Sequence, residues 1–317
     1  MSNHFDGKRF FDPEIRFKSS FKSFLQWRLT RKSIAWPNKV EVNSYDFPPE
    51  RVEGGKLRLS YVGHVTFLIQ TENLNILTDP VWSERASPFS FIGPKRVIDP
   101  GIKFDNLPPI DVVWISHNHY DHLDLVTINN LWAVHEPRII TPLGNDKIIH
   151  SYNKNIVVET YDWGDKVVIG QNVAFHLSHM QHWSARGIFD RNIALWAALT
   201  IETTNGNIYF IGDSGYGNGR YFKRDKEKFK QFRLALLPMG AYEPRNFMEY
   251  AHMNPDDTVK AYIDLGEPCT IPSHFDVFKL ADEGWGEAKI ALDAAKKFHG
   301  VGDNIKVLNV GEHYFVP

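Results

Sequence analysis

The segment Ser116-His117-Asn118-His119-Tyr120-Asp121-His122-Leu123-Asp124 places four metal-capable side chains within six consecutive positions. It follows residues 111–115, an apolar run that is typical of a buried strand, and it precedes residues 125–132, whose apolar spacing predicts a helix. The metal-capable side chains are therefore expected on a loop that joins a strand to a helix.

The order of these side chains predicts two neighbouring cation sites. In extended backbone His117 and His119 point in the same direction, so that their imidazoles can bind one ion. The chain then turns and directs Asp121 and His122 at a point beside the first ion. A polar loop that is merely rich in histidine, or a helix cap with surface imidazoles, is the alternative. Ordinary loops rarely carry His-x-His-x-Asp-His directly after a buried strand, and we therefore favour metal binding.

This motif resembles that of the metallo-β-lactamase superfamily of binuclear metallohydrolases. The chain is also similar to the branch typified by N-acyl-phosphatidylethanolamine-hydrolysing phospholipase D, and the similar phrases cover most of the chain from about residue 57. They are residues 61–66, 77–80, 85–88, 93–96, 212–216 and 240–245. The resemblance implies an α/β protein with the superfamily's four-layer αβ/βα sandwich. Strands that alternate with helices in two halves of the chain fit the same architecture.

The resemblance also implies a ligand set for two ions. It assigns one ion to His117, His119 and His182, the second ion to Asp121, His122 and His274, and a bridge between them to Asp213. Among the histidines near residue 180, His176 lies in an alternating segment and is interpreted as structural. His179 would serve only if its loop were shifted. Ligation by nitrogen and oxygen suits two Zn²⁺ ions, and iron or manganese would tolerate the same set.

Asp213 and Asp79 both follow predicted strands. Apolar runs at 193–203 and 207–211, joined through Asn205-Gly206, predict a hairpin that ends at Asp213. A carboxylate has two oxygens and can bridge two cations, whereas an imidazole cannot. Asp79 is a candidate acceptor for the second nitrogen of a ligand histidine, and a turn or cap before the following proline is the alternative. His64 lies either near the site or hydrogen-bonded in the core, and it is not included in the ligand set.

The resemblance implies a binuclear zinc-dependent phosphodiesterase of phospholipase D type. Its substrate would be an N-acylated phosphatidylethanolamine or a related glycerophosphodiester. Asp121, Asp213 and His252 would be catalytic, and Tyr120, Arg245 and His252 would contact the substrate. Residues 82–109 show little periodicity and are expected to form a long loop that shapes the substrate pocket.

Two other enzyme classes are weighed against this interpretation. A metal-dependent lactonase of the same fold is the main alternative, because an activated water attacks an ester carbonyl equally well. An iron-dependent oxidoreductase is disfavoured, since such proteins resemble Glu at the position of His119 and carry a fused flavin domain. A non-catalytic scaffold is disfavoured because the ligand set is complete.

Composition limits the partners and the compartment. The 317 residues include 43% apolar residues, and the formal charge of -2 gives no global attraction to nucleic acid. The single cysteine, Cys269, cannot form an internal disulfide and suits a reducing compartment. The sequence contains no apolar run of eighteen residues, and we expect a cytoplasmic protein.

Residues 8–37 differ in character from the rest, with eight Lys or Arg against two acidic residues. Phe17, Phe21, Phe24 and Leu25 recur at helical spacing, which predicts a basic amphipathic helix. We favour packing of this aromatic stripe on the main domain over contact with an anionic membrane surface, although weak peripheral membrane association and a homodimer are retained as hypotheses. The predicted division is an extension over residues 1–56 and a hydrolase domain over residues 57–317.

Near the end of the chain the helix signals are clear. Asn254 as cap, with proline at the first helical position and Gly266 at the stop, predicts one helix. A last helix is predicted over residues 287–298 and a last strand over residues 305–310.

Overall fold

The computed structural model describes residues 3–15, 27, 29, 31 and 34–317. Within these ranges the chain forms two sheets. The first has seven strands in the order β13-β1-β2-β3-β4-β5-β6, in which β3 to β6 run parallel and the remaining neighbours antiparallel. Its strands are β1 (Leu57–Gly63), β2 (Thr66–Thr71), β3 (Leu74–Thr78), β4 (Val112–Trp114), β5 (Arg138–Pro142), β6 (Val158–Tyr161) and β13 (His313–Val316).

The second sheet has six strands in the order β12-β11-β10-β9-β8-β7. The strands β10, β11 and β12 are parallel, and β7 to β10 form an antiparallel meander. The bounds are β7 (Lys166–Gly170), β8 (Val173–Ser178), β9 (Ala198–Thr203), β10 (Asn207–Phe210), β11 (Phe232–Pro238) and β12 (Cys269–Ser273).

Six α-helices and one 3₁₀ turn, Phe104–Asn106, lie wholly within the described ranges. The predicted helix after residue 254 has a complete capping box, in which Asn254 accepts from the backbone of Asp257 while the Asp257 carboxylate faces the Asn254 N–H. The helices are α1 (Leu125–His135), α2 (Asn145–Tyr152), α3 (Arg220–Phe229), α4 (Arg245–Met248), α5 (Pro255–Asp264) and α6 (Glu287–His299).

Successive side chains of a strand point to opposite faces of its sheet, and each face packs against a different layer of the fold. In β4, Val112 and Trp114 belong to the core between the two sheets, whereas Val113 belongs to the core beneath α1 and α2. On the other side, Val259 of α5 and Leu292 of α6 pack on the second sheet. Helices therefore cover the outer face of each sheet, as the predicted four-layer sandwich requires.

Two strand predictions are wrong in part. Residues 305–310 do not form the last strand, because this segment meets the second sheet only at one bridge between Ile305 and Thr270. The terminal strand is instead β13, which pairs with the edge strand β1. The predicted hairpin strand over 193–203 begins at Ala198, and the residues before it pass beneath the metal-capable loop, where Ala197 donates its N–H to the carbonyl of Ser116.

The described part of the N-terminal region contacts the main body of the chain. Phe10 belongs to the central core, and the indole of Trp27 donates to Asp282 at 2.6 Å while its ring stacks on Phe247. The predicted aromatic stripe of residues 17–25 lies outside the described residues, and the domain boundary at residue 56 stays a prediction. In the part of the chain that the structure describes, no helix combines the length and apolar character needed to cross a bilayer.

Candidate metal centre

Four loops meet at one edge of the sandwich, and each follows a strand end. The loop after β4 carries the His-x-His-x-Asp-His motif, the loop after β8 carries His182, the end of β10 leads to Asp213, and β12 leads to His274. Gly212 allows the close approach between the sheets, because a side chain there would lie 2.6 Å from Ser116 Oγ. Its φ of +69° is also one that glycine adopts readily.

The first group of donors consists of three buried or half-buried imidazoles. The Nδ1 atom of His119 lies 2.9 Å from Nε2 of His117 and 3.2 Å from Nε2 of His182. All three nitrogens lie within 4.8 Å of one another. Three imidazole nitrogens that converge on one point form the nitrogen-rich face that Zn²⁺ and similar cations accept.

The second group centres on a carboxylate. Asp121 Oδ2 lies 3.4 Å from Nε2 of His122 and 3.2 Å from Nε2 of His274. Asp213 Oδ2 lies 3.2 Å from the same atom of His274 and 3.8 Å from Nε2 of His182, so that Asp213 stands between the two groups. The structure thus brings together all seven residues of the predicted ligand set, although their roles as ligands stay predictions.

Hydrogen bonds behind the donors fix the imidazole rings. Asp79 Oδ2 lies 2.7 Å from Nδ1 of His122 and also accepts from the hydroxyl of Ser116. The Nδ1 atoms of His117 and His182 lie 3.0 Å from Ser116 Oγ and from the carbonyl of Ala251. Partners of this kind set the tautomer of an imidazole and leave Nε2 free to face a cation.

The donor set fits a metal ion. Among the described residues, Nε2 of His122, Nε2 of His274 and Oδ1 of Asp213 are buried without a hydrogen-bond partner. Orphaned buried polar atoms are costly, and here they belong to residues of the predicted ligand set. A bound cation would satisfy them.

The first group is electrostatically neutral. Burial lowers the pKa of His119 to about 3 and holds the pKa values of His117 and His182 well below the usual range. Each of these rings therefore keeps a free nitrogen lone pair at neutral pH, as metal ligation requires.

The second group contains two buried carboxylates, whose negative charge must be compensated. Burial opposes ionisation of Asp121 and Asp213, but the surrounding imidazoles outweigh it and hold both carboxyl pKa values well below the usual range. Burial likewise opposes protonation of His122 and His274, yet the neighbouring carboxylates raise their pKa values to about 10 and about 9. Buried carboxylates thus draw a compensating charge, which protons or a cation can supply.

The sequence left open whether His64 lies near the site or in the core, and the structure places it beside Asp121. This residue follows β1 and is buried, and its Nε2 lies 2.9 Å from Asp121 Oδ2. Burial, together with the charge of His274, lowers its pKa to about 3. The dipeptide Gly63-His64 at a strand end was the available signal, but only the fold shows that β1 ends beside the loop of Asp121.

The predicted substrate contacts occupy different surroundings. His252 Nδ1 lies 3.0 Å from Asp213 Oδ2, at the edge of the donor groups. Arg245 donates to the carbonyl of His252 at 2.9 Å and pairs with Asp257 at 2.7 Å, so its guanidinium holds the segment that carries His252. Tyr120 donates to the carbonyl of Arg186, whose guanidinium lies 3.8 Å from the tyrosine ring centroid.

The two other histidines of the 176–182 segment lie away from the donor groups. His176 in β8 pairs with Glu202 at 2.6 Å, in agreement with its structural interpretation. His179 stacks on Trp163 and on Tyr221, with ring centroids 4.1 and 5.6 Å away. Its ring is therefore part of an aromatic stack.

A cavity of about 710 Å³ adjoins the metal-capable loop at Tyr120. One wall is residues 83–90 of the long loop predicted over 82–109, and the opposite walls are helices α1 and α2 and the segment from Arg186 to Asp190. Its lining includes the apolar side chains of Phe89, Leu123, Leu125, Val126 and Ile148. Its volume lies within the usual range for small-molecule sites.

The chain is similar in sequence to proteins of one superfamily. Residues 74–275 match the model of the β-lactamase superfamily domain. N-acyl-phosphatidylethanolamine-hydrolyzing phospholipase D 1 of Caenorhabditis elegans is 38% identical over 213 residues, which are 64% of this chain and 59% of that protein. The mitochondrial N-acyl-phosphatidylethanolamine-hydrolyzing phospholipase D of Saccharomyces cerevisiae is 31% identical over 270 residues, 83% of this chain and 57% of that protein.

The matched region thus spans less than two thirds of the length of either relative. Among solved structures, the metallo-β-lactamase fold protein YhfI of Bacillus subtilis superposes with a TM-score of 0.56 at 13% identity, over 83% of this chain and 100% of that one. This likeness confirms the predicted αβ/βα sandwich.

Proposed function

Because this chain belongs to the β-lactamase superfamily, and thus has the fold of metal-dependent hydrolases, we propose that it is a binuclear zinc-dependent phosphodiesterase of phospholipase D type. The observation that carries the proposal is the convergence of two donor groups on the shared carboxylate of Asp213. The substrate class is an N-acylated phosphatidylethanolamine or a related glycerophosphodiester. The names of the worm and yeast relatives support that class. The partly apolar cavity beside Tyr120 is lined by none of the predicted ligands and could hold only an apolar part of such a substrate.

The geometry supports the proposed residue roles. His117, His119 and His182 would hold one ion, Asp121, His122 and His274 the other, and Asp213 would face both. When bound, such cations supply Lewis acidity, which lowers the pKa of water and offsets the charge that builds on phosphoryl oxygens. Nitrogen and oxygen donors support zinc, and the same set would tolerate iron or manganese.

His252 is the proposed proton donor to the leaving oxygen. Its Nδ1 lies against the Asp213 carboxylate, which can hold a proton on that atom and orient the ring, while the side chain remains partly accessible. Arg245 would serve the reaction through His252, since it grips the carbonyl of that residue. General acids of this kind contribute about 10²–10⁴-fold in rate.

We also propose that the protein contacts a lipid surface. Two loop tips that border the cavity, residues 89–92 and residues 188–189, expose large apolar side chains to solvent: Phe89, Phe91, Ile92, Ile188 and Phe189. Side chains that protrude on separate tips suit insertion into a lipid layer better than a protein interface, which needs about 800 Å² of matched surface per partner.

A substrate panel tests the reaction. We expect the zinc-loaded protein to cleave an N-acylated phosphatidylethanolamine and bis-p-nitrophenyl phosphate, with simple lactones as comparison and chelator-treated protein as blank. His119→Ala should abolish cleavage, whereas His176→Ala, which removes a histidine outside the donor groups, should retain it. Robust lactone turnover without phosphodiester cleavage would replace this proposal by the lactonase alternative.

A further inference from the structure

His64 has an unusual backbone conformation for a buried, bulky residue. Its φ is 59°, in the left-handed region that costs a non-glycine residue about 1–3 kcal/mol. His274, a predicted ligand of the second ion, has a φ of 62°, and Asp79, which holds His122, has a φ of 35°. Strained backbone thus clusters around the second donor group, as it often does at functional sites.

The side chain of His64 is directed at a predicted metal ligand. Nε2 lies 2.9 Å from Asp121 Oδ2, and the ring centroid lies 4.2 Å from that of His274. Phe278 packs edge-on against the same ring at 5.2 Å and closes its outer side. The imidazole therefore has little freedom to leave the carboxylate.

The main chain of His64 holds a second predicted ligand. Its carbonyl accepts the backbone N–H of His274 at 2.9 Å and also receives the hydroxyl of Tyr61 at 3.3 Å. One residue thus fixes the carboxylate from β4's loop through its side chain and the imidazole after β12 through its backbone. Both contacts are made from a residue in the left-handed conformation.

We propose that His64 is the positioning residue of the second metal site, and that its Nε2–H donates to Asp121 and orients that carboxylate toward the ion. With the proton on Nε2, the buried atom that lacks a described partner is the Nδ1 lone pair, which is less costly than an unpartnered N–H. His64 affects the second ion specifically, because its contacts are with Asp121 and His274 and not with the first group. The inference rests on the proposed two-ion centre.

Zinc titration of the metal-free protein against a chromogenic chelator tests this role. The wild type should bind two equivalents. His64→Phe, which keeps a planar ring but lacks the donor, should weaken the second ion by about 10–100-fold and leave the first unchanged, as expected when a partner behind a ligand is lost. His64→Gln, whose amide nitrogen reaches the place of Nε2, should stay within about threefold of the wild type.

The Phe and Gln variants form a suitable pair, since neither side chain is favoured in left-handed backbone. His64→Asn tolerates that backbone but is too short to reach Asp121, so it should resemble His64→Phe and replaces it if the Phe variant fails to fold. If the affinity for the second ion falls equally in the Gln and Phe variants, the donor role is wrong. It is also wrong if His64→Phe binds both ions with wild-type affinity.

Metal binding is measured in the absence of substrate. The proposed reaction and the proposed role of His64 can therefore fail separately. A wild type that binds two ions, shows the expected variant pattern and cleaves no phosphodiester would refute the proposed reaction and support the role of His64. A wild type that binds one ion would overturn the role of His64.

Discussion

Asp213 is the residue on which the two donor groups depend. Its carboxylate contacts a histidine of each group and also faces His252, and it follows a glycine that lets β10 approach the loop after β4. If the proposed roles are correct, loss of this one side chain should affect both metal content and the proposed proton donor His252.

Asp213→Ala should therefore reduce the zinc content of the purified protein from about two equivalents to one or fewer, because each remaining group lacks its shared oxygen. Elemental analysis after gel filtration provides the measurement. Asp293→Ala, which removes an exposed carboxylate from α6, serves as the matched control and should keep both ions. Full occupancy in Asp213→Ala would be incompatible with the bridging role.

At the scale of the element, α3 buries an acidic side chain against the second sheet. Asp225 is almost fully buried beside Ser178 and Tyr209, and burial raises its pKa to about 6 from an ordinary value of 3.8. The folded chain therefore binds this proton more tightly than the unfolded chain. The contribution to stability is fully present below pH 3.8 and is lost as the pH rises through about 6.

We expect Asp225→Asn to raise the free energy of unfolding at pH 8 by up to about 3 kcal/mol, with a smaller gain at pH 5. Urea denaturation of variant and wild type at both pH values measures the difference. Asp293→Asn, on the exposed face of α6, should change neither value. A gain that is independent of pH would show that shape and hydrogen bonding, and not the charge, cause it.

Elements with local signals could be predicted from the sequence, and the others could not. The capped helix α5 and the loop of His117 are both encoded by residues that are close together in the sequence. Their positions could therefore be predicted from local capping residues and motif spacing. The strand predicted over 305–310 failed because alternation does not say whether a partner edge is available. In the fold, β1 offers that edge to His313–Val316.

The same distinction applies within the metal centre. His117, His119, Asp121 and His122 come from one motif, whereas the choice of His182 rests mainly on family resemblance and that of His274 on its position after a predicted strand. His64 carries no spacing signal to any of them. Its place follows from the pairing of β1 with β2 and β13, a long-range property of the sheet.

The whole molecule presents one face with both the cavity and the two loop tips. Phe91 is 78% exposed and Phe189 is 84% exposed, and charged residues of both signs, Glu84, Arg85, Arg186 and Asp190, line the cavity between them. Such a face suits a zwitterionic lipid layer more than a strongly anionic one.

The variant with both Phe91→Ser and Phe189→Ser should bind zwitterionic vesicles at least about tenfold more weakly than the wild type, since each partly exposed phenyl ring contributes roughly 1 kcal/mol or more on insertion. Sedimentation with vesicles gives the binding, and Phe298→Ser, an equally exposed residue of α6, is the control.

Salt identifies the source of the attraction. Apolar insertion by the loop tips should persist at high ionic strength, whereas binding through the basic N-terminal residues should be screened. Binding that requires anionic lipid and disappears in salt would assign the contact to that segment and leave the loop tips without a role.

The proposed ligands come from both sheets, and the ribosome therefore synthesises them at different times. Residues 117–122 emerge early, but the first proposed ion lacks its third imidazole until His182 is made, and the second lacks His274 for about ninety residues more. At about 5–20 residues per second, this gap lasts roughly 5–20 seconds. The three imidazoles proposed for the first ion would therefore all be synthesised before the donor set proposed for the second ion is complete.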